Sequence, residues 1–150
     1  MKYSQTIYCS AKEAWDIISK SVAYEIGQAK NTTIAIEDIK EGYTYRKDMQ
    51  ASRGGKMKTE IVITAFDAPK RYSAKVSSKE GVNYMSYCLD EVDDEECIIT
   101  YEETFQSSKL MTGLNAKLVS FLLSMKQKKT VKNSINYIEK AAIAARKTNN

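Results

Sequence analysis

The stretch LNAKLVSFLLSMKQKKTVKNSINYIEKAAIAAR, residues Leu114–Arg146, decides how this 150-residue chain is read. It holds neither Pro nor Gly and is the only segment long enough to cross a whole domain as one helix. In its first half Leu114, Leu118, Phe121, Leu122 and Met125 fall on one face at helical spacing. In its second half Val131, Ile135, Ile138, Ala142 and Ala145 form another stripe, offset by roughly a third of a turn at about 100° per residue. The helix is therefore expected to bend, or to change what it packs on, around Lys126 to Lys129. Everything before it reads as the surface on which it lies.

That surface begins with a strand, Lys2 to Cys9, in which Tyr3, Ile7 and Cys9 alternate with polar residues. Ser10-Ala11-Lys12-Glu13 is a capping box that starts a helix, and Trp15, Ile18 and Val22 supply its buried face. Ser19-Lys20-Ser21 weakens the run, which favours a pair of short helices ending near Gly27. From Thr32 to Phe105 the period becomes two. Strands are expected at about Thr32–Ile39, Tyr43–Gln50, Met57–Phe66, Tyr72–Ser78, Val82–Asp90 and Cys97–Phe105, separated by Gly-containing or acidic turns too short for crossovers. With the first strand this makes an α+β domain, residues 1–150, whose seven-stranded curved antiparallel sheet grips the C-terminal helix in the order β-α-α-β6-α.

The chain has no histidine, which excludes Ser-His, Cys-His and imidazole-metal chemistry outright. Cys9, Cys88 and Cys97 are an odd number without CxxC spacing, so they read as reduced thiols, with Cys88 and Cys97 as candidate cross-strand neighbours; no metal and no cofactor is expected. There is no secretory h-region and no apolar run of about 18 residues, so the expectation is a soluble, cytoplasmic protein without a transmembrane segment. From Leu114 onward eight basic residues face Glu139 alone. Such a helix face is usually solvated, though weak contact with an anionic membrane surface fits the charge. Nucleic acid is not expected, because the positive charge is confined to one helix without interleaved aromatics. Neither Ser52-Arg53-Gly54-Gly55-Lys56 nor the acidic run Asp90–Glu96 has phosphate-loop or EF-hand spacing, and both read as hairpin connections.

The order of elements, the capped start from Ser10 to Trp15, the Asp67-Ala68-Pro69-Lys70-Arg71 turn and the closing amphipathic helix together resemble the START-like helix-grip superfamily, also grouped as SRPBCC. Among its members are the major birch pollen allergen, lipid-transfer START domains, polyketide cyclases and the activator domain of an Hsp90 co-chaperone. More closely, the chain resembles small bacterial members whose family carries no assigned function. The resemblance implies a hydrophobic or amphipathic small molecule held between sheet and long helix. No branch's catalytic set carries over, and the histidines that cyclase and oxygenase branches often employ are absent here.

Alternation on the last strand puts Cys97, Ile99, Tyr101, Glu103 and Phe105 on one face, which makes Glu103 a carboxylate pointing at an apolar surface. Burial there would suit it to proton transfer, whereas a place near the cavity mouth would leave it in water. Lys47, among Tyr43, Tyr45 and Met49, is a candidate ion-pair partner for it. Tyr43, Tyr45, Tyr72 and Tyr101 are expected to point inward, joined by Tyr84 or Tyr87 according to register; each could equally fill core. The expected ligand-binding set is Tyr43, Tyr45, Tyr72, Tyr101 and Glu103 from the sheet, closed by Leu118, Leu122 and Met125 from the helix.

Binding without chemistry is thus the favoured function. A cofactor-free cyclase or hydrolase using Glu103 with a tyrosine is the enzymatic alternative. A protein-interaction module of co-chaperone type, docking through the Val131–Ala145 stripe, is the other, and a homodimer is left open.

Overall fold

The computed structural model describes residues 1–51, 53–108 and 114–148, with side chains described outside 114–126. Strand β1 (Lys2–Ile7) leads into helix α1 (Ala11–Lys30). Strands β2 (Thr44–Gln50), β3 (Lys56–Asp67), β4 (Arg71–Ser78), β5 (Gly81–Asp93) and β6 (Glu96–Ser107) follow, and helix α2 (Leu114–Thr148) closes the chain. All the pairings are antiparallel, in the order β1-β6-β5-β4-β3-β2. Strands β2 to β6 form the expected meander, and β1 pairs with the last strand of it.

Two expectations are corrected. Among the described residues the sheet has six strands, because Thr32–Ile39 contains only a 3-10 turn at Ile36–Asp38. Asn31 caps α1 in the left-handed region (φ 54°), the Thr32 amide donates to the Gly27 carbonyl, and the segment folds back on the helix. Its alternating isoleucines pack a connection: Ile39 is buried and Ile34 and Ile36 are partly so. The two short helices are one helix of 20 residues. Ser19 and Ser21 are accommodated inside it, their hydroxyls donating to the Asp16 and Ile17 carbonyls at 3.2 and 2.8 Å.

The capping box forms as read: Ser10 Oγ accepts from the Glu13 amide at 3.1 Å, and the Ser10 amide donates to Glu13 Oε1 at 3.0 Å. This aims α1 across the sheet with Trp15, Ile18, Val22 and Ile26 buried. The second stripe of α2 is buried beside it, at Val131, Ile135, Ile138 and Ala142. Polar contacts fix how α2 lies: Gln5 Nε2 donates to Asn136 Oδ1 at 2.9 Å, the Tyr8 amide to Glu139 Oε2 at 2.8 Å, and Arg146 makes a two-pronged pair with Glu13 at 2.7 and 2.9 Å. Of the Val131–Ala145 stripe through which an interaction module would dock, Val131, Ile135, Ile138 and Ala142 are thus used inside the fold, and Ala145 is partly exposed. The side chains of Leu118, Leu122 and Met125 lie outside the described residues.

Cys97 stands opposite Ile7 and Glu91, and Cys88 opposite Arg71 and Thr100, so those two cysteines are not paired across the hairpin. Cys97 instead shares a hydrogen bond with Cys9, which together with burial pushes the Cys9 thiol far above its ordinary range. All three thiols are free.

Candidate functional site

Register builds the site. Tyr101 on β6 faces Tyr3 on β1 and Tyr87 on β5, Tyr87 faces Tyr72 on β4, and Tyr72 faces Phe66 on β3. Directly opposed residues share a face, so five aromatics form one row across five strands. Phe66 and Tyr72 meet edge to face, Tyr72 and Tyr87 lie nearly parallel with centroids 6.5 Å apart, and Tyr87 and Tyr101 are tilted at 4.9 Å. Trp15 of α1 closes the row against Phe66 at 4.9 Å.

Between this row and the two helices lies a cavity of about 540 Å³. Tyr72, Met85 and Tyr87 form its floor, Ile18, Val22 and Glu25 of α1 one wall, and Ser134, Tyr137 and Ile138 of α2 another. A second pocket of about 310 Å³ shares Tyr87, Thr130 and Ser134 with the first and adds Tyr101, Glu103, Gln127 and Val131. Both volumes are in the range that holds a small organic ligand.

Each pocket carries one carboxylate. Glu25 accepts from the Tyr45 hydroxyl and from Lys47 Nζ, which also pairs with it as an ion. Glu103 accepts from the Tyr101 hydroxyl at 2.8 Å and from Asn83 Nδ2 at 2.6 Å. The tyrosines between them stay neutral. Burial, then the Glu25 charge, raises Tyr72; burial, then the Glu103 charge, pushes Tyr87 up to about 12 and holds Tyr101 higher still. Burial followed by the bond to Glu25 does the same to Tyr45. The hydroxyls of Tyr72 and Tyr87 make no hydrogen bond with a described residue, and both side chains border the cavity.

Among the residues singled out from sequence, Tyr72, Tyr101 and Glu103 line the pockets. Tyr45 is core, reaching the site only through Glu25, and Tyr43 lies under the Lys30 ammonium at 4.5 Å, away from the described walls. Lys47 pairs with Glu25, not Glu103, because Glu25 projects from α1 directly over β2. Of the two tyrosines left open, Tyr87 faces inward and Tyr84 is exposed. Phe105 shares the register face of Glu103 yet is 53 % exposed. Glu25 was missed, although a signal existed: at three and seven residues beyond Val22 and Ile18 it falls within the apolar stripe of α1.

A curved antiparallel sheet closed over a long C-terminal helix, with a cavity between them, is the START-like helix-grip fold. The family model described as "Domain of unknown function (DUF3284)" matches residues 1–124, and the chain belongs to that family. No curated protein matches it. The fold is shared with a protein of unknown function from Staphylococcus aureus (12% identity, 98% of this chain and 96% of that one, TM-score 0.66). Norcoclaurine synthase from Thalictrum flavum is similar at 10% identity over 93% and 90% of the chains, with a TM-score of 0.60. A START superfamily protein from Mycobacterium smegmatis is similar at 8% identity over 92% and 97%, with a TM-score of 0.59. No helix among the described residues is long and apolar enough to cross a membrane.

Proposed function

We propose that this protein binds a small hydrophobic or amphipathic molecule in the cavity between sheet and helices, as a cytoplasmic carrier or sensor rather than a catalyst. The single observation that supports this is the aromatic row bordering about 540 Å³ of space, where the Tyr72 and Tyr87 hydroxyls meet no partner among the described residues. Large side chains standing beside a void lose contacts that a ligand would restore. Tyr72, Tyr87 and Tyr101 provide apolar faces, and their hydroxyls discriminate among ligands that can hydrogen-bond. Native mass spectrometry of the protein as purified from cells, compared with its denatured mass, tests the reading. A retained adduct of small-molecule size is expected. No adduct, together with no uptake of a neutral apolar probe, would sink it.

One observation favours a second reading, a cofactor-free enzyme: Tyr101 donates directly to Glu103 on the wall of the smaller pocket. There the carboxylate would accept a proton from a bound acid while the hydroxyl neighbours the charge that develops. Glu103→Gln should then abolish turnover of any substrate found while leaving its binding in place.

A further inference from the structure

The two carboxylates of the site are not equivalent. Glu25 is neutralised by Lys47. Glu103 meets only neutral donors, the Tyr101 hydroxyl and the Asn83 amide, and forms no ion pair among the described residues. The Met1 ammonium approaches the same residue, but it donates to the Glu103 backbone carbonyl at 2.8 Å. No lysine or arginine lines either pocket among the described residues. Beside the carboxylate stand the faces of Tyr87 and Tyr101, whose π-systems attract cations. Asn83 Oδ1, on the same face of the sheet, is buried and accepts no hydrogen bond, so a second acceptor is left over next to the first.

We propose that the ligand is an amphipathic organic cation, a protonated amine or quaternary ammonium, whose head sits against Glu103 between Tyr87 and Tyr101 and whose apolar body extends into the larger cavity over Met85, Val22 and Ile138. This rests on the ligand-binding reading above and narrows it. A fatty acid would place its carboxylate against Glu103 or against the already paired Glu25, and either position adds a like charge in a half-buried site. A neutral alcohol would gain the hydrogen bonds but not the charge.

Isothermal titration calorimetry with decylammonium, decanol and decanoate, each below its micelle concentration, separates the possibilities. Decylammonium should bind at least about tenfold more tightly than decanol, with decanoate the weakest, and the preference should shrink as salt is raised. In Glu103→Gln the preference should disappear while decanol affinity is retained, which also reports that the variant is folded. Equal binding of the three, or a preference for decanoate, overturns the cation while leaving the cavity reading intact. A preference that survives Glu103→Gln overturns the placement of the head. Failure of all three to bind removes the cavity reading, and the cation with it. Should Glu103→Gln fail to fold, Glu103→Asp with its shortened carboxylate takes its place: a reduced preference supports the placement and an unchanged one overturns it.

Discussion

The Tyr101 hydroxyl donates to the Glu103 carboxylate at 2.8 Å from two residues earlier on the same strand, and Asn83 Nδ2 reaches the same carboxylate from β5 at 2.6 Å. Two neutral donors thus hold one half-buried charge. Hydrogen bonds to charged groups are worth about 1.5–3 kcal/mol, so Tyr101→Phe should cost at the low end of that range in urea unfolding, because Asn83 still serves the carboxylate. Tyr101→Phe combined with Asn83→Ala should cost more than the sum of the single losses. Additivity would mean that water replaces either donor.

The tyrosines of the row are expected to separate into two kinds. Tyr72→Phe and Tyr87→Phe remove hydroxyls that have no partner among the described residues and should change stability by less than about 0.5 kcal/mol, while lowering affinity for any ligand that bonds them. Tyr45→Phe removes a donor to Glu25 from a side chain only 3 % exposed and should cost about 1.5–3 kcal/mol. Thermal melts with and without bound ligand check both. A large stability loss in Tyr87→Phe would show that its hydroxyl is structural.

Much of this was legible in the chain, and the failures have physical causes. The capping box and the parity of Cys97, Ile99, Tyr101 and Glu103 depend on residues close in sequence and came out as read. Tyr84 against Tyr87 stayed open, because a single bulge decides it. Asp93 pairs with Glu96, and a regular hairpin would then put Cys88 opposite Tyr101, facing Tyr84 inward; the register shift between Glu91 and Asp93 puts Tyr87 there instead. The isoleucines of 32–39 carry a strand's alternation without a strand to pair with. Glu25 and Lys47 meet only because α1 crosses β2, and no local pattern records that crossing.

Alkaline unfolding follows from the same tyrosines. Tyr72, Tyr87 and Tyr101 all have folded pKa values raised above the ordinary value of 10, Tyr87 to about 12. Their contribution is complete below pH 10, where both states are protonated. It is lost as pH rises through the folded values, because the unfolded chain releases its protons first. Stability should therefore fall from about pH 10 upward. The tyrosinate absorbance of the row should rise together with the loss of near-ultraviolet circular dichroism. Titration of all the tyrosines ahead of unfolding would contradict their burial.

Gly27 reverses a usual sign. Inside a helix, Gly→Ala ordinarily stabilises by about 0.5–1 kcal/mol. Here an added Cβ would stand 2.6 Å from the Thr32 carbonyl oxygen, in the backbone that folds back over the end of α1. Neither atom is the free end of a side chain, so the segment must shift. Gly27→Ala should destabilise by about 1–3 kcal/mol, the range for overpacking. Chemical denaturation reads the sign directly, and a stabilised variant would mean that 32–39 yields without cost.

Glu13 ties both ends of the two-helix layer together: it completes the capping box of α1 and receives the Arg146 guanidinium from the last turns of α2. The Arg146 bond, with help from Ser10, lowers its carboxyl from 4.5 to about 2. A depressed carboxylate contributes stability above its unfolded value, and that contribution is lost as pH falls through the folded one. The window is therefore pH 4.5 down to about 2. Glu13→Gln isolates the charge, since glutamine at this position can still complete a capping box. The variant should be less stable than the parent at neutral pH, and the two should converge as pH drops through that window. Curves that coincide at every pH would place the worth of Glu13 in its capping bond, which glutamine keeps, leaving the pair with Arg146 as a contact without energetic weight.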